Sequence, residues 1–317
     1  MRSFLKIITY LVFLTGCIPT TINDNNVSRF DSRKIKLQFF SFFNQRDAPI
    51  KSESSWKGDW IFRRERLNLI EKELGDNKPD LNIFQNSIGR ENNPYESDLG
   101  ILGSSVLKSY KSHLHNLVEY EDTHEIESHA VSIIPPLYFC SQEGGLLSQE
   151  NNHLSWDTLT FEKEPVLVVN MELKNTVIES ILNEFLDEIK KIVSNEKICN
   201  RRIILAASIP PEIYKSALRV PDSLNLQDAS KNFCITESDC YTANSLNEIF
   251  SKAYGEILPS RYDFIFVPTS AKVILHKVNF KDPARLESGA FRTYGMKSLW
   301  ASDRFGIRID LLLAKCT

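Results

Sequence analysis

The sequence is poor in cysteine, with six among 317 residues, and no two cysteines are separated by only two residues. The low count excludes a small scaffold held together by many disulfides, and the missing spacing excludes the common zinc-ribbon type of metal site. An excess of positive charge is also absent, since 38 Lys and Arg residues stand against 41 Asp and Glu residues, for a net charge of −3. This balance argues against a nucleic-acid partner bound through a basic surface.

Long apolar runs are missing as well. The apolar stretch at residues 7–14 is far shorter than the roughly 20 residues that a membrane-spanning helix needs. It follows Arg2 and Lys6 and runs into the small residue Gly16 before Cys17. A basic start, a short apolar core and small residues at the cut are typical of a secretory signal peptide. Residues 1–16 are therefore predicted to be an export signal.

The end of this signal carries a more specific pattern, Leu14-Thr15-Gly16-Cys17. The string resembles the bacterial lipobox, which implies cleavage before Cys17 and acylation of the new N-terminal cysteine, for example with palmitate. The expected product is a lipoprotein whose membrane partner is reached through Cys17, in the bacterial cell envelope and in the outer membrane if the cell is Gram-negative. An ordinary signal peptide that happens to contain a cysteine is the alternative.

The stretch that follows Cys17 is polar and has no periodicity. Residues 18–34 are rich in Pro, Thr, Asn, Asp and Ser, a composition typical of a linker. A flexible coil of this length spans roughly 20–25 Å on average, which would hold a folded domain off the lipid surface. We therefore predict that residues 17–34 are the lipidated cysteine and a flexible tether, and that the folded domain covers residues 35–317.

Two of the remaining cysteines, Cys234 and Cys240, bracket a short polar loop. An exported protein occupies a compartment in which disulfides form, so this pair is a disulfide candidate with Cα atoms about 4.4–6.8 Å apart. Buried free thiols are the alternative. The sequence leaves the pairing of Cys140, Cys199 and Cys316 open.

Strand and helix patterns alternate from residue 35 onward. The segment 166–173 is almost wholly apolar, as a buried strand is, and 177–193 has apolar residues at helical spacing. The predicted elements are a strand at 36–43, a helix at 59–74, strands at 81–85, 130–139 and 166–173, a helix at 177–193, and strands at 203–206, 262–267, 272–278 and 307–313. The polar stretch 87–129 yields no assignment. This mixture, without internal repeats, predicts one large α/β or α+β domain.

Four histidines, His113, His115, His124 and His129, lie among many carboxylates. Histidine and carboxylate side chains together can bind a metal ion. The spacings match no common ligand pattern and the segment lacks helical periodicity, so a solvated acidic loop is the favoured interpretation. His153 and His276 are isolated and are expected to be structural.

Several strand ends, taken in order, resemble one enzyme superfamily. Their marks are Trp60 with Arg63 or Arg64, the string PDLNIFQ at 79–85, YDFIF at 262–266 and SDRFGI at 302–307. These resemble the metal-dependent endonuclease, exonuclease and phosphatase superfamily, which includes DNase I-like nucleases, inositol polyphosphate phosphatases and bacterial sphingomyelinases. The resemblance implies a four-layer sandwich over residues 35–317, with two packed mixed sheets and helices outside. A generic α/β domain with chance matches is the alternative.

The resemblance fails where the family carries its chemistry. In place of the metal-holding Gln-Glu pair this chain has Gln85-Asn86, whose amide carries no negative charge. Glu172 stands where the family has a catalytic His, and Ser208 stands where it has the Asp base of a Gly-Asp-Phe-Asn motif. The closing Ser-Asp-His has become Ser-Asp-Arg304, and an arginine that is always protonated cannot shuttle protons.

At the other positions of the family pattern, some residues are kept and others are replaced. Pro210 removes the amide side chain that ends the same Gly-Asp-Phe-Asn motif, and the Asn that ends the first strand falls on Phe43, or on Asn44 if the register slips. Asp263 and Asp303 are kept. Proton-transfer groups each contribute on the order of 10² to 10⁴ in rate, so the combined losses predict little remaining catalysis.

Two functions of different classes follow. The first is a membrane-anchored lipoprotein whose nuclease/phosphatase-like domain has lost catalysis and serves as a binding or structural module, without a cofactor. The second is a divalent-metal-dependent phosphodiesterase or phosphatase with a rewired site, in which Glu172, Asp263 and Asp303 hold Mg²⁺.

Both hypotheses require residues that are distant in sequence to meet in one cleft. Arg304 is expected to take over part of the metal's charge by pairing with Glu172 or Asp263 at about 2.7–2.9 Å. The predicted cleft residues are Gln85, Asn86, Glu172, Ser208, Asp263, Asp303 and Arg304.

Overall fold

The computed structural model describes residues 30–42, 63–90, 97–120, 125–140, 144–174, 179–243, 247, 258–281, 283–285, 298–302 and 304–316. Within these ranges, no helix has both the length and the apolar character that crossing a membrane requires. Several predicted features lie outside the described residues, namely the signal at 1–16, Cys17, Phe43, Asn44, Trp60, His124 and Asp303.

The described chain forms fifteen strands and five α-helices. The strands are β1 (Ile35–Ser41), β2 (Leu81–Arg90), β3 (Lys111–Tyr120), β4 (Glu125–Ile133), β5 (Tyr138–Phe139), β6 (Gly145–Gln149), β7 (Asn152–Phe161), β8 (Glu164–Glu172), β9 (Ile203–Ser208), β10 (Leu226–Asp228), β11 (Asp263–Pro268), β12 (Lys272–Asn279), β13 (Ala284–Arg285), β14 (Ser298–Leu299) and β15 (Gly306–Leu312). The helices are α1 (Arg63–Asn77), α2 (Asp98–Gly103), α3 (Glu179–Asn195), α4 (Tyr214–Ala217) and α5 (Arg219–Ser223), with 3-10 turns at Asn200–Arg202, Pro211–Ile213 and Glu237–Cys240.

The strands assemble into two large sheets. The first has the order β12-β15-β1-β2-β4-β3, and the second has the order β10-β11-β9-β8-β7-β5, with β6 paired to β7. The pairs β1–β2 and β8–β9 are parallel, whereas neighbours such as β1–β15 and β7–β8 are antiparallel, so both sheets are mixed. β13 and β14 form a separate short antiparallel pair.

Three apolar clusters define four layers. Between the sheets, residues such as Ile83 and Val131 of the first sheet meet Val168 and Ile265 of the second. On the outer face of the second sheet, α3 packs through one apolar face, and α1 does the same on the outer face of the first sheet. The predicted four-layer sandwich of two mixed sheets with helices outside is confirmed.

The pattern of β8 explains why its sequence is so apolar. Val166 and Val168 point into the space between the sheets, while Leu167 and Val169 point toward α3. All four side chains are fully buried. A strand covered on both faces reads as a continuous apolar run, which is the signal that the sequence carries at this position.

The unassigned stretch 87–129 contains the end of β2, the short helix α2, all of β3 and part of β4. Bulges shift the register between Phe84 and Ser87 and between Asn116 and Val118. An extra residue moves the following side chains to the opposite face, so the alternation of a strand is broken along these sequences. β3 also lies at the edge of its sheet with several exposed residues. These features removed the periodic signal on which the sequence assignment depended.

The predicted solvated acidic loop around the histidines is wrong. His113 and His115 lie on β3, and His129 is fully buried on β4. His113 Nδ1 and His115 Nε2 lie 2.8 and 2.9 Å from the two carboxylate oxygens of Asp157. These histidines are therefore part of the interior, where their ring nitrogens meet a buried acid.

The predicted tether extends too far. Phe30 forms an antiparallel bridge with Ala314, and Asp31, only 4% exposed, pairs with Arg202 at 2.8 Å. Residues 30–34 therefore belong to the domain rather than to a linker, because their backbone and a buried charge are held by the sandwich.

Arg202 is the largest fully buried side chain among the described residues and sits directly before β9. It pairs with Asp31 at 2.8 Å and with Glu164 at 3.1 Å, and it also donates to the carbonyl oxygens of Phe161 and Pro165. Burial raises the pKa of Asp31 to about 6, while Arg202 acts in the lowering direction. The guanidinium is thus surrounded by acceptors, as a buried charge must be.

Two disulfides link described residues. Cys199 and Cys316 are joined with Cα atoms 6.1 Å apart, which ties the chain before β9 to the segment after β15. Cys234 and Cys240, the predicted pair, are joined with Cα atoms 5.8 Å apart. The first pair was left open by the sequence, because its partners are 117 residues apart.

Candidate functional site

Polar residues gather at one end of the space between the sheets. Along β8 the inward positions change from Val166 and Val168 to Asn170 and Glu172, and along β9 they change from apolar residues to Ser208. The same change occurs on β4 and β11, toward Glu127 and Asp263. The strands therefore carry an apolar core for most of their length and a buried polar layer at this end.

A row of four such residues runs across the second sheet. Glu172 is paired in register with His153 of β7 and with Ser208 of β9, and Ser208 is paired with Asp263 of β11. All four are at most 5% exposed. Since neighbouring strands lie about 4.8 Å apart, Glu172 and Asp263 are separated by about 9.5 Å at their Cα atoms.

The first sheet meets this row through Gln85 and Asn86. Gln85 Nε2 donates to Asn170 Oδ1 at 2.7 Å and to the carbonyl oxygen of Met171 at 3.0 Å. Asn86 lies in the bulge of β2 with a φ of 55°, a left-handed conformation that asparagine tolerates better than most residues. The bulge turns the Asn86 side chain toward the second sheet.

Asn86 lies between two buried carboxylates. With its amide oriented to match its neighbours, its nitrogen donates to Glu127 Oε1 at 2.7 Å and Glu172 Oε2 at 3.0 Å, and its oxygen accepts from Ser41 Oγ at 3.0 Å. Glu127 and Glu172 are 3% and 2% exposed. A neutral NH₂ group thus links two acids that would otherwise face each other.

Glu172 has cationic and imidazole partners of its own. Lys174 Nζ lies 3.0 Å from its Oε1, and His129 Nε2 lies 3.3 Å from its Oε2. Burial acts to raise the pKa of Glu172, but Lys174 and His129 together hold that pKa well below its ordinary value. Burial lowers the pKa of His129. A neutral His129 can donate from Nε2 to Glu172 and accept at Nδ1 from Ser155, 3.1 Å away.

Arg304 contacts the row at its Ser208 and Asp263 end. Its Nη1 donates to Ser208 Oγ and to Asp263 Oδ1, the latter at 3.1 Å. The guanidinium also lies 5.9 Å from the centre of the Tyr262 ring. The predicted pairing of Arg304 with Asp263 is thus present in the geometry, at a distance slightly longer than the 2.7–2.9 Å expected of a charge-assisted bond.

The structure brings the described members of the predicted cleft together, namely Gln85, Asn86, Glu172, Ser208, Asp263 and Arg304. Asp303 lies outside the described residues. Sequence reasoning did not place Glu127, His129 or Lys174 in this cleft. The spacing of Glu127 and His129 places both on one face of a strand, but that signal was lost because the strand itself was not recognised.

The family resemblance implies that a divalent cation binds at these positions. Glu172 is already matched by Lys174 and Asp263 by Arg304, and the two acids lie on either side of Ser208. Magnesium needs oxygen ligands at about 2.0–2.1 Å in octahedral geometry. Glu172 and Asp263 as placed therefore do not fit a shared magnesium ion.

Solved structures resemble this fold over most of its length. An endonuclease/exonuclease/phosphatase family protein from Bacteroides thetaiotaomicron has a TM-score of 0.60 at 15% identity, covering 89% of this chain and 98% of that one. A mannosyl-6-phosphatase from the same organism has a TM-score of 0.60 at 15% identity, over 87% and 99%. TDP2 from D. rerio, complexed with a single-strand DNA product, has a TM-score of 0.58 at 14% identity, over 89% and 99%.

The chain has the endonuclease/exonuclease/phosphatase fold. Identities this low show a shared fold, while function depends on the residues of the site. No protein-family model matches the sequence, and no curated protein matches it. Within this fold, the described residues of the polar layer are joined by internal ion pairs and hydrogen bonds.

Proposed function

We propose that this protein is a lipid-anchored module of the bacterial cell envelope that keeps a phosphoesterase fold and has lost catalysis. The observation that carries the proposal is the contact of Arg304 with Asp263 and Ser208. A fixed guanidinium occupies a place where the family resemblance implies a proton-transferring histidine, and it binds the aspartate that the family pattern retains. Among the described residues, the two candidate metal-binding acids Glu172 and Asp263 are each engaged by a cation.

The charge balance of the polar layer supports the same proposal. Lys174 and Arg304 each neutralise one buried carboxylate, and the Asn86 amide joins Glu127 to Glu172. A metal ion bound by Glu172 or Asp263 would have to displace these partners.

Of the four charged partners in these two ion pairs, the exposed ones are the cations. The side chains of Lys174 and Arg304 are 30% and 13% exposed, whereas those of Glu172 and Asp263 are each 3% exposed. A ligand group received here would therefore be an anion, such as a carboxylate or a phosphate. Binding of an anion without its hydrolysis is the activity that the site supports best.

Calorimetry and a hydrolysis assay test the loss of catalysis. The purified protein is expected to show no heat on titration with magnesium chloride and no magnesium-dependent hydrolysis of bis-p-nitrophenyl phosphate. Glu172→Gln is the matched control, because hydrolysis by this site would disappear in the variant and hydrolysis by a contaminant would persist. Magnesium binding with hydrolysis that Glu172→Gln removes would replace this proposal with the rewired phosphodiesterase.

Labelling with a palmitate analogue tests the anchor. Cys17→Ala is expected to abolish incorporation of the label, because the lipobox pattern assigns acylation to that cysteine. Cys140→Ala is the control and should retain the label. Equal labelling of wild type and Cys17→Ala would refute the anchor and leave the fold and site arguments unaffected.

A further inference from the structure

A second cluster of chemically active side chains lies away from the polar layer. Cys234 precedes the 3-10 turn Glu237–Cys240, which begins with a capping box between Thr236 and Asp239 and ends at Cys240. His276 of β12 lies beside them. The two sulfur atoms and a ring nitrogen of His276 all lie within 4.8 Å of one another. In the described part of the chain, these are the only three His, Cys, Asp or Glu residues whose ligand atoms lie this close.

His276 has the features of a ligand without its ion. Its Nε2 is buried and has no hydrogen-bond partner, although nearly all buried polar atoms have one. The ring stacks against Phe233 with centroids 6.2 Å apart, which helps to fix its orientation.

We propose that Cys234, Cys240 and His276 form a binding site for a thiophilic transition-metal ion, typified by zinc, when their disulfide is reduced. Two thiolates and one imidazole are ligands that zinc prefers, with Zn–S about 2.3 Å and Zn–N about 2.0–2.1 Å. Ligand atoms around one ion lie less than about 4.5 Å apart at these bond lengths. The observed cluster therefore needs only small movements to close on a metal.

The chemistry runs in two steps. A dithiol reductant transfers two electrons and two protons to the disulfide, which gives two cysteine thiols and the oxidised reductant. Zinc then displaces one proton from each thiol and takes the neutral imidazole as its third ligand, which leaves a fourth position for water. Disulfide and metal are mutually exclusive, so the redox state of this pair decides whether metal binds.

The cluster lies between the edges of the two sheets, so a bound metal ion would affect the structure. Cys234 and Cys240 belong to the loop after β10, and His276 belongs to β12, the edge strand of the other sheet. A bound ion would therefore cross-link the edges of the two sheets. Ile235 is 95% exposed, so solvent and small reductants reach this loop.

Cobalt(II) is the probe, because thiolate ligands give it intense charge-transfer absorption. The full chain, reduced with a phosphine and kept anaerobic, is expected to bind one equivalent of cobalt with such absorption, and zinc should displace it. Air-oxidised protein should show no absorption. A reduced protein that gives no charge-transfer band, or an oxidised protein that gives the same band, would overturn the proposal.

Variants assign the ligands. Cys234→Ser should abolish the band, and His276→Ala should weaken cobalt binding by at least about tenfold, or ~1.4 kcal/mol. The double variant Cys199→Ser/Cys316→Ser is the control, since this pair belongs to no three-ligand set among the described residues, and its cobalt spectrum should match that of wild type. Unchanged affinity in His276→Ala would remove the third ligand, and a band lost only in the Cys199/Cys316 variant would place the metal elsewhere. His276→Ala keeps the disulfide, so it tests the site even if Cys234→Ser fails to fold.

Discussion

An arginine lies at each end of β9, and the two arginines differ in burial and in their partners. Arg202, directly before the strand, is 0% exposed and is bound by Asp31, Glu164 and two carbonyl groups. Arg304 meets the last residue of the strand, Ser208, and its side chain remains 13% exposed. We call the Arg202 end, whose charge is fully buried, the sealed end of β9. The Arg304 end, where part of the charge remains accessible to a ligand, is called the open end.

The largest effect is expected at the sealed end. Arg202→Met should lower the free energy of unfolding by about 3–5 kcal/mol, because Asp31 would lose its cation inside the protein. Arg201→Met is the matched control, since the neighbouring side chain is exposed, and it should change stability by less than about 0.5 kcal/mol. Urea denaturation measures both. A loss below about 1 kcal/mol in Arg202→Met would contradict the structural role of this end.

A smaller effect is expected at the open end. Arg304→Met should cost about 1–3 kcal/mol, because Asp263 and Ser208 lose a charged donor, but water reaches part of this region. Arg304→Lys keeps the charge and should recover part of the loss. If Arg304→Met proved as damaging as Arg202→Met in the same denaturation experiment, the distinction between a sealed and an open end would fail.

The two ends should also respond to pH with opposite sign. The pKa of Asp31 is raised from 3.8 to about 6, so the folded state holds a proton that the unfolded state has released. Stability linked to Asp31 should therefore decrease as pH rises through this window, by at most ~1.4 kcal/mol per pH unit. Denaturation curves of Asp31→Asn should lack this slope. A wild-type protein that gains stability from Asp31 over the same window would reverse the sign.

The smallest accessible effect belongs to Glu172. Its pKa lies well below the ordinary 4.5, because Lys174 and His129 outweigh the effect of burial. The stability from the ionised carboxylate is therefore present above pH 4.5 and is lost as pH falls toward the folded-state pKa. Glu172→Gln should flatten the acid side of the stability profile, as followed by circular dichroism. An unchanged acid limb would mean that Glu172 is not ionised in the folded protein.

Local patterns were enough to predict much of the fold. The apolar run that became β8 and the helical stripe that became α3 are signals that depend on near neighbours in sequence. β3 and β7 gave no usable signal, because β3 is a bulged edge strand and β7 carries buried polar residues such as Ser155 and Asp157 at inward positions. In the sequence, a buried polar layer gives the same pattern of polar residues as a solvated surface.

The same sequence reasoning identified only some of the residues of the candidate site. Gln85, Glu172 and Ser208 could be named from the family resemblance, because each lies in or next to a recognisable predicted strand. Glu127 and His129 could not, since their role arises only when β4 of one sheet is laid over β8 of the other. The contact of Asn86 with two acids likewise depends on a bulge that no local pattern announces.

The position of Phe30 beside Ala314 fixes where the chain joins the domain relative to the polar layer. The chain joins the sandwich at the Arg202 end of β9, and the six residues of that strand separate this point from Ser208 by about 20 Å. If Cys17 is acylated as proposed, residues 18–29 can rise at most about 40 Å from the lipid before the fold begins. That reach is about twice the distance from the attachment point to the Arg304 end of β9, so the tether alone lets Lys174 and Arg304 meet headgroups of the anchoring leaflet as well as anions from the aqueous side.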